Sequence, residues 1–425
     1  MAILVIGMMS VAQADNWPNW RGPDSNGIAP NADPPIKWSE TENIKWKVQI
    51  PGDSDSTPII WEDKLFIQTA IPTAEEPPPG SGEKPKSIAK VATVPYRFVV
   101  MCLSRETGEV LWEQTTTEEL PHEGHHPTAS FAAYSPVTDG ELLWVSFGSR
   151  GLHCYDLDGN HQWSRGLIKM SKVNEFGEGS SPTLAGDAIV VQLDHEGQSK
   201  IMAFNKETGE TLWEHNREEP STWATPLTVD VDGALQVVVS GKNRIISHDA
   251  ATGDIVWESA AAWDEPLATP VVANGNIFLA SGFRVFDTLA IELGHTGDLT
   301  NSDAIQWRTS EDAPYVASPL VYGDNLYFIS GYRALLSCYN ATTGKMIYEK
   351  EKLDGLRQIY ASPVGAGDRL YIACRRGGVA VVKQSNKFKL LATNTLEDNF
   401  DASPVVAGNE LFLKGDAFLY CIAED

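Results

Sequence analysis

Three stretches of this sequence follow one pattern, and that pattern decides the fold: Cys102-Leu-Ser-Arg-Glu-Thr-Gly-Glu-Val-Leu-Trp112, Ala203-Phe-Asn-Lys-Glu-Thr-Gly-Glu-Thr-Leu-Trp213 and Ser247-His-Asp-Ala-Ala-Thr-Gly-Asp-Ile-Val-Trp257. Each stretch leaves an apolar run, turns at Thr-Gly and closes on a tryptophan. A second pattern keeps step with the first, a Ser-Pro or Thr-Pro dipeptide that opens a short apolar segment. Its prolines occur eight times, at Pro58, Pro136, Pro182, Pro226, Pro270, Pro319, Pro363 and Pro404.

The spacing of these prolines identifies the repeat. Six of the seven intervals run from 41 to 49 residues, and the first, at 78, is longer. A fixed period of this length with several short strands in each unit is the signature of propeller blades. Gly, Asn and Asp in the tight turns supply the positive φ that short hairpins need. The sequence therefore predicts an all-β fold, an eight-bladed β-propeller of four-stranded antiparallel blades.

The two ends of the sequence are expected to complete one blade together. The last unit provides three strands, predicted at Ser403–Val406, Glu410–Lys414 and Phe418–Ile422. The segment Asn43–Ile50 carries the repeat tryptophan, Trp46, without a preceding repeat. Pairing it with the last strand would close the ring and leave no open seam between blades. We therefore predict a propeller over residues 43–425, closed by the N-terminal strand joining the last blade.

The most regular aromatic and sulfur positions are expected to be structural. An indole beside a Gly turn can stack on the neighbouring blade and bury a large area, which we expect of Trp112, Trp163, Trp213, Trp257 and Trp307, with Tyr348 in the equivalent place. Four of the five cysteines occupy one repeat slot, held elsewhere by Ala or Ser: Cys102, Cys154, Cys338 and Cys421. Equivalent slots in different blades lie too far apart for a disulfide. Buried free thiols are predicted.

Composition narrows the range of partners. The net charge of −24 opposes both nucleic acid and anionic lipid, which need a cationic surface. Residues 1–14 read as a signal peptide, with an apolar stretch and the small-x-small sequence Ala12-Gln13-Ala14 before a cleavage site near Ala14. That stretch is too short to span a bilayer. We expect a periplasmic or secreted monomer without a membrane span.

Two segments break the repeat. Residues 71–95 are rich in Pro and Gly, lie between the second and third strands of the first blade, and are expected to be flexible. Residues 15–42, with Trp17-Pro-Asn-Trp20-Arg-Gly-Pro, are expected to form an N-terminal strap across the ring. A smaller departure, Leu293–Ala304, enlarges a turn in the fifth blade.

One face of the propeller carries the variable loops, and we expect the function there. The densest polar cluster on it contains His122, His125 and His126 beside Glu123, with Asp194 and His195 in the next blade's loop. Three imidazoles and carboxylates could chelate a metal or supply a catalytic base. A solvated, hydrogen-bonded loop is the simpler interpretation, since no established metal-binding spacing accompanies them. They are weak metal candidates, and no metal site is predicted.

Other candidates surround the axis of the same face. Four aromatic residues precede the repeat prolines and would ring the tunnel, where they could stack on a planar or sugar ligand or simply pack: Tyr134, Trp223, Tyr315 and Tyr360. Arg375, in a loop of the seventh blade, could line the mouth or lie in a solvated turn. Together with the histidines, Asp194 and His195, these are the ligand-face candidates; no catalytic residue is predicted.

The repeats resemble the pyrroloquinoline-quinone-like (PQQ-like) propeller repeats, whose Ala-x-Asp-x-x-Thr-Gly-x-x-x-Trp motif is echoed at residues 203–213, 247–257 and 338–348. The resemblance covers about residues 36–422. It implies a relative of quinoprotein dehydrogenases, of the assembly lipoprotein BamB, or of exported bacterial proteins without assigned activity. The last group is similar also in the segments Trp17–Pro23, Ser135–Gly140 and Phe147–Gly159.

Differences between this sequence and the quinoprotein dehydrogenases determine the function that we expect. Those enzymes stack the quinone on two adjacent disulfide-bonded cysteines, and this sequence has no Cys-Cys pair. Their calcium-holding Glu, Asn and Asp and their catalytic Asp have no match that we can identify. No cofactor is therefore predicted, and PQQ is not expected despite the name of the repeat. The expected function is an exported, non-catalytic scaffold that binds an envelope protein or glycan. The alternative is a redox or metal-dependent enzyme of quinoprotein type using the axial mouth.

Overall fold

The computed structural model describes residues 16–75, 88–330 and 333–424. Within these ranges the chain forms eight antiparallel sheets, the blades of a propeller, which confirms the predicted fold. Each blade has four principal strands, a to d from the axis outward. In the same ranges, helix is limited to two short 3-10 segments, Gly148–Arg150 and Val173–Glu175.

The two inner strands of each blade form a hairpin with a tight turn. In order of blades 1 to 8, the a strands are Ile59–Trp61, Val137–Thr138, Thr183–Ala185, Leu227–Val231, Val271–Ala273, Leu320–Tyr322, Val364–Ala366 and Val405–Ala407. The b strands are Lys64–Pro72, Leu142–Ser146, Ala188–Leu193, Ala234–Ser240, Asn276–Ser281, Asn325–Ser330, Arg369–Ala373 and Glu410–Lys414.

The two outer strands complete each blade. The c strands are Tyr96–Ser104, Leu152–Asp156, Ser199–Asn205, Arg244–Asp249, Asp287–Glu292, Leu335–Asn340, Gly378–Lys383 and Phe418–Ile422. The d strands are Val110–Glu119, His161–Arg165, Thr211–Arg217, Ile255–Ala260, Ile305–Thr309, Met346–Lys352, Leu390–Thr395 and, for blade 8, Ile44–Gln49. The d–a and b–c connections emerge on one face, here called the loop face, and the a–b and c–d turns on the other, the turn face.

The predicted ring closure is confirmed by the register of blade 8. Ile44–Gln49 pairs antiparallel with Phe418–Ile422, with Trp46 opposite Cys421 and Lys47 opposite Tyr420. The N-terminal strand therefore supplies the outer edge of the last blade. Because the two ends of the chain share one sheet, the propeller has no free seam between its first and last blades.

Tryptophans join neighbouring blades, as predicted for four of the five named and for Trp46. Five indoles donate Nε1–H at 2.8–3.1 Å to a carbonyl in or beside the c–d turn of the next blade: Trp46, Trp112, Trp163, Trp213 and Trp307. Each ring lies against the glycine of that turn, where an added Cβ would come within 2.5–2.8 Å of the packed side chains. The glycine of each turn is therefore needed for two reasons: it adopts a positive φ, and it leaves space for the indole.

The fifth predicted tryptophan, Trp257, is buried, but the glycines of the enlarged turn in the next blade have no ring of the described residues against them, so the repeated contact is absent there. Tyr348, in the equivalent place, packs on Phe388 at 6.0 Å between ring centroids.

A closed ring of hydrogen bonds explains the Ser/Thr before each repeat proline. In every blade the backbone N–H of this residue donates to the hydroxyl of its equivalent in the next blade, at 2.9–3.1 Å, and blade 8 donates to blade 1. The members of this hydroxyl ring are Thr57, Ser135, Ser181, Thr225, Thr269, Ser318, Ser362 and Ser403. The proline that follows has no N–H, which is tolerated because strand a is the inner edge of its sheet.

The N-terminal segment enters the channel. Of the predicted strap over residues 15–42, Asn16 onward is described. Trp17 pairs with Ile60 of blade 1, and residues 28–29 add a parallel strand, Ile28–Ala29, to the inner edge of blade 7. Between them, the buried Arg21 guanidinium donates to the carbonyls of Pro319 and Pro363 at 3.1 and 3.0 Å. The segment thus crosses the inside of the ring and divides the channel.

Other predictions have mixed outcomes. All five cysteines are buried and free, as predicted. In blade 5, the enlarged turn over 293–304 contains Gly297–Asp298, which pairs with strand d of blade 4. Of the insertion over 71–95, the first two residues continue strand b and residues 76–87 lie outside the described residues, as does the predicted signal peptide over 1–14. No helix in the described part of the chain is long and apolar enough to cross a bilayer.

Candidate functional site

The loop-face end of the channel holds a cavity of about 270 Å³, here called the axial mouth. Trp20 of the strap lines it and donates Nε1–H to the Ser403 hydroxyl at 3.2 Å, beside the hydroxyl ring. Each blade contributes one lining residue from the same place, the third residue before the repeat proline: Asp55, Ala133, Gly179, Trp223, Leu267, Val316, Tyr360 and Asp401. The repeat itself therefore builds the mouth.

The mouth has two unlike walls. Blades 8 and 1, which are neighbours, contribute the carboxyl groups of Asp401 and Asp55. Blades 4, 5 and 6 contribute the apolar side chains of Trp223, Leu267 and Val316. Eight blades around one axis place blades 4 and 5 opposite blades 8 and 1. Glu265, two residues before Leu267, also lines the cavity, as does Glu178 of blade 3. The cavity is therefore amphipathic, with a pair of acids on one side and a mainly apolar wall on the other.

The acidic wall is electrostatically strained. Burial raises the pKa of Asp55 to about 7 and that of Asp401 to about 8, and repulsion between the two carboxylates adds to the shift of Asp401. Lys414 lies nearby, and burial lowers the pKa of its ammonium group. Its Nζ donates to the carbonyls of Ser54, at 3.4 Å, and Gly415. The pair thus has too little positive charge around it to hold both acids ionised at neutral pH.

Asp401 is incompletely paired. Its Oδ2 lies 3.3 Å from Nη2 of Arg375, and its side chain is only 7% exposed. Its Oδ1 is buried and has no hydrogen-bond partner among the described residues. A buried carboxylate oxygen without a donor is costly. This atom therefore marks the place where a ligand donor would be most stabilising.

Three of the four predicted aromatic residues line the mouth. Trp223 donates Nε1–H to the carbonyl of Gly177 at 2.8 Å, and Tyr315 stacks on Phe283 at 5.1 Å between ring centroids. Tyr360 lies 5.3 Å from the guanidinium of Arg375. Tyr134 is placed differently: it is buried behind the wall, and its hydroxyl donates to Glu178 Oε2 at 3.2 Å.

The predicted histidine cluster does not converge. His122 donates Nε2–H to the carbonyl of Met170 at 2.6 Å, whereas His125 is buried edge-on against Phe131. His126 lines the mouth, with Nδ1 2.7 Å from the Thr128 hydroxyl. Burial lowers the pKa of both His125 and His126. The loop is thus hydrogen-bonded and partly buried, with its three rings directed to different partners.

One group of potential metal ligands occurs in the described ranges. His122, Glu123 and Glu178 bring ligand atoms within 4.8 Å of one another. The His122 nitrogen facing Glu178 Oε1, at 3.7 Å, is the one that donates to Met170, and Glu178 accepts from the backbone and hydroxyl of Ser149 at 2.7 and 2.6 Å. Burial raises the pKa of Glu123 to about 7. Glu123 Oε2 accepts from the backbone of Lys172 at 2.9 Å, whereas its Oε1 has no hydrogen-bond partner among the described residues. Since the His122 nitrogen and both Glu178 oxygens are engaged, the group offers one free ligand atom and not three.

Asp194 and His195 lie outside the lining of the mouth, in the b–c loop of blade 3. Asp194 is 1% exposed and accepts from Nε of Arg217 at 2.8 Å. His195 Nδ1 accepts from the backbone of Ser171 at 3.2 Å. Both side chains hold loops in place, and neither lines the cavity.

Sequence reasoning missed Asp55, Asp401 and Trp20. The signal for the two acids was available, because both stand three residues before a repeat proline, in the same place as Trp223 and Tyr360. The aromatic residues near the prolines are only part of the lining, whereas the third residue before each repeat proline gives all eight lining positions. Trp20 had no such signal, since it lies outside the repeat.

Comparison with known proteins supports this architecture. The family model described as "Outer membrane protein assembly factor BamB" matches residues 53–223, 96–347 and 197–425. No curated protein matches the sequence. Among solved structures, BamB from Moraxella catarrhalis is similar with a TM-score of 0.61 and 14% identity, covering 88% of this chain and 98% of that one.

Quinoprotein enzymes share the same fold. Quinohemoprotein alcohol dehydrogenase from Comamonas testosteroni has a TM-score of 0.66 and 10% identity, over 97% of this chain and 81% of that one. A europium-containing methanol dehydrogenase has a TM-score of 0.62 and 9% identity, over 96% and 98%. At these identities the structural likeness establishes the fold alone. Since the family matches extend over most of the sequence, from residue 53 to residue 425, the chain belongs to the BamB family of PQQ-like repeat propellers.

Proposed function

We propose that this protein is an exported, non-catalytic propeller that binds a protein or glycan partner in the cell envelope through its loop face. The observation that carries the proposal is the axial mouth, a cavity of about 270 Å³ to which every blade contributes one residue. Pockets that combine apolar side chains with a few converging polar groups are the usual form of binding sites. A propeller whose variable residues converge on one cavity suits recognition.

Membership of the BamB family supports the same proposal. The matching family is named for an assembly factor of the outer membrane, which suggests an envelope location and a protein partner. The predicted signal peptide over residues 1–14 would direct the chain to that location. A monomer that binds through one face is the simplest arrangement for such a scaffold.

The quinoprotein alternative fits the mouth poorly. PQQ is itself a polycarboxylate, and the carboxyl groups of Asp55 and Asp401 would face it. Arg375, the cation beside the cavity, is already paired with Asp401 at 3.3 Å. The five cysteines are buried singly and free, so none forms the disulfide platform on which the related enzymes stack the quinone. We therefore derive no redox step and keep the binding function.

Site-specific photocrosslinking tests the assigned face. A crosslinking residue replaces Phe286, a 45% exposed side chain in the b–c loop of blade 5, and in a matched variant replaces the exposed Asp232 in an a–b turn of the turn face. After irradiation in an envelope preparation of the producing cell, we expect an adduct at Phe286 alone. Mass spectrometry distinguishes protein from glycan. Adducts formed only at Asp232, or equally at both positions, would contradict the proposal.

A further inference from the structure

We propose that the axial mouth binds an aliphatic ammonium group, the side chain of a lysine that the partner protein presents. This inference rests on the proposed binding function and names its chemistry. It commits to a protein partner, so that recognition of a glycan becomes an outcome that would overturn it. Three features of the mouth carry the argument: its unpaired carboxylate oxygen, its apolar wall and the cations that already lie on its rings.

The acidic wall lacks a donor. Asp401 Oδ1 is buried without a hydrogen-bond partner, although the side chain is only 7% exposed and lines the cavity. Asp55 lines the cavity from the adjacent blade. An ammonium group offers three N–H donors and a positive charge. A ligand nitrogen placed against Asp401 would offset the repulsion between the two acids, and rotation of the Asp401 carboxyl group would bring its unpaired oxygen to that nitrogen.

The opposite wall suits a hydrocarbon stem. Trp223, Leu267 and Val316 face the two aspartates across the axis. Glu265 is the one acid on this side among the described residues. Lysine buries its methylenes along apolar surface while its charged end seeks polar partners. An aliphatic chain packed on this wall would direct its terminal charge to the carboxylates. A cavity with this division of chemistry is less suited to a sugar, whose hydroxyl groups are distributed around the ring.

Behind the lining of the mouth, two cations lie against rings that face the cavity, although neither cation lines it. The Arg375 guanidinium lies 5.3 Å from the centre of Tyr360 and 3.3 Å from Asp401 Oδ2. The ammonium of Lys172 lies 4.9 Å from the centre of the Trp223 ring. Such contacts are attractive because the face of an aromatic ring is negative. Arg375 therefore occupies part of the acidic wall and competes with an incoming cation.

A pair of neutral-capped probes tests the inference on the wild-type protein. Nα-acetyl-lysine methylamide and its norleucine analogue have similar stems and differ in the ammonium group. Isothermal titration calorimetry should give binding about tenfold tighter for the lysine probe. Equal affinity for the two probes would overturn the inference. Tighter binding of free 1,5-diaminopentane would assign the site to a small amine, and binding of an oligosaccharide in place of the lysine probe would assign it to a glycan; either result overturns it.

Two substitutions should act in opposite directions. Asp401→Asn should weaken binding of the lysine probe about tenfold, and Asp232→Asn, the same change on the turn face, should leave it unaltered. Arg375→Ala should strengthen binding several-fold when the titration is run above the pKa of Asp401, where both acids are ionised, because it removes the competing cation. A gain cannot result from misfolding, so this variant remains informative if Asp401→Asn fails to fold. Weaker binding in Arg375→Ala would indicate an anionic ligand and overturn the inference.

The two proposals fail separately. Crosslinking at Phe286 that persists when the lysine probe does not bind would leave the binding function in place and remove the lysine chemistry. Crosslinking confined to Asp232 would remove the binding face itself, whatever the probe does.

Discussion

Two rings of residues in the same eight loops behave differently. The residue directly before each repeat proline is always Ser or Thr, and its hydroxyl joins one blade to the next at 2.9–3.1 Å. Two positions earlier, the residue lining the axial mouth differs in chemistry from blade to blade, from Asp55 and Gly179 to Trp223. Both rings border the cavity, and six members of the first ring line it, but the hydroxyls of the first ring are occupied by hydrogen bonds between blades. The side chains of the second ring are not tied to one another in this way.

The difference separates stability from recognition. The hydroxyl oxygen before each proline accepts a hydrogen bond from a buried backbone N–H of the neighbouring blade. Substitution by a residue without a hydroxyl group would leave that N–H unpaired. A side chain that faces a cavity can vary, because few protein groups depend on it. The repeat thus uses one loop for two purposes, and each can be tested at a matched position.

The largest effect should come from breaking the hydroxyl ring. The Ser403 hydroxyl accepts from the backbone of Ser362 at 3.0 Å and from Trp20 at 3.2 Å. Ser403→Ala leaves both donors unpaired and should lower the free energy of unfolding by about 3 kcal/mol. Ser403→Thr retains the acceptor and should stay near wild type, as measured by chemical denaturation. A loss below about 1 kcal/mol in Ser403→Ala would show that the ring contributes little.

A smaller, pH-dependent effect should come from the acidic wall. The pKa values of Asp55 and Asp401 are raised to about 7 and about 8, above the value of about 4 in an unfolded chain. The folded state therefore holds more protons, and stability falls as pH rises through this interval. Asp55→Asn removes one acid and its repulsion on Asp401. The free energy of unfolding of this variant, relative to that of wild type, should therefore be about 2 kcal/mol higher at pH 8.5 than at pH 5.

The comparison for this prediction is Asp232→Asn, which should keep the wild-type pH dependence. The charged groups that act on the pair also titrate or carry charge in this interval, and they are the same in both proteins: Asp53, Arg375, Lys414 and Asp416. Identical slopes in the Asp55 variant and wild type, measured as thermal unfolding against pH, would mean that the pair is not strained.

Substitution of the tryptophans that join neighbouring blades should have a smaller effect on the free energy of unfolding. Trp213 donates Nε1–H to the carbonyl of Ala250 at 3.0 Å and packs on Gly253. Trp213→Phe keeps a ring but loses the donor, and we expect a loss of about 1.5 kcal/mol. Trp307→Phe should cost a similar amount, since its Nε1 makes the equivalent bond to Ala341 at 2.8 Å. Unequal losses would show that the repeat contacts are not equivalent in energy.

The smallest effect should be at the mouth. Val316 lines the cavity, whereas Val321 is buried in strand a of the same blade. Val316→Thr should change the free energy of unfolding by less than about 0.5 kcal/mol, and Val321→Thr should cost about 1.5 kcal/mol, because the added hydroxyl is buried only there. Equal costs in denaturation would place the mouth residues among those that hold the fold together.

The candidate site was only partly predictable. The loop face and axial position followed from the repeat, and Trp223, Tyr315 and Tyr360 do line the mouth. Asp194 and His195 were expected at a binding face but are buried by Arg217 and Ser171, partners distant in sequence. Proximity of the three histidines in the sequence does not determine the direction of each side chain. His122, His125 and His126 turn to three different partners because neighbouring loops reach them from several directions.

By itself the sequence determined the number of blades, the closing strand, the docking tryptophans and the state of the cysteines. Each depends on a repeated local pattern whose physical meaning is the same in every unit. Only the tertiary structure decided that Asp55 and Asp401 share a wall, that Asp401 Oδ1 lacks a donor and that Trp20 closes the channel. Closure of a ring places the first and last blades side by side, and the electrostatics of that contact depend on distances that no linear pattern contains.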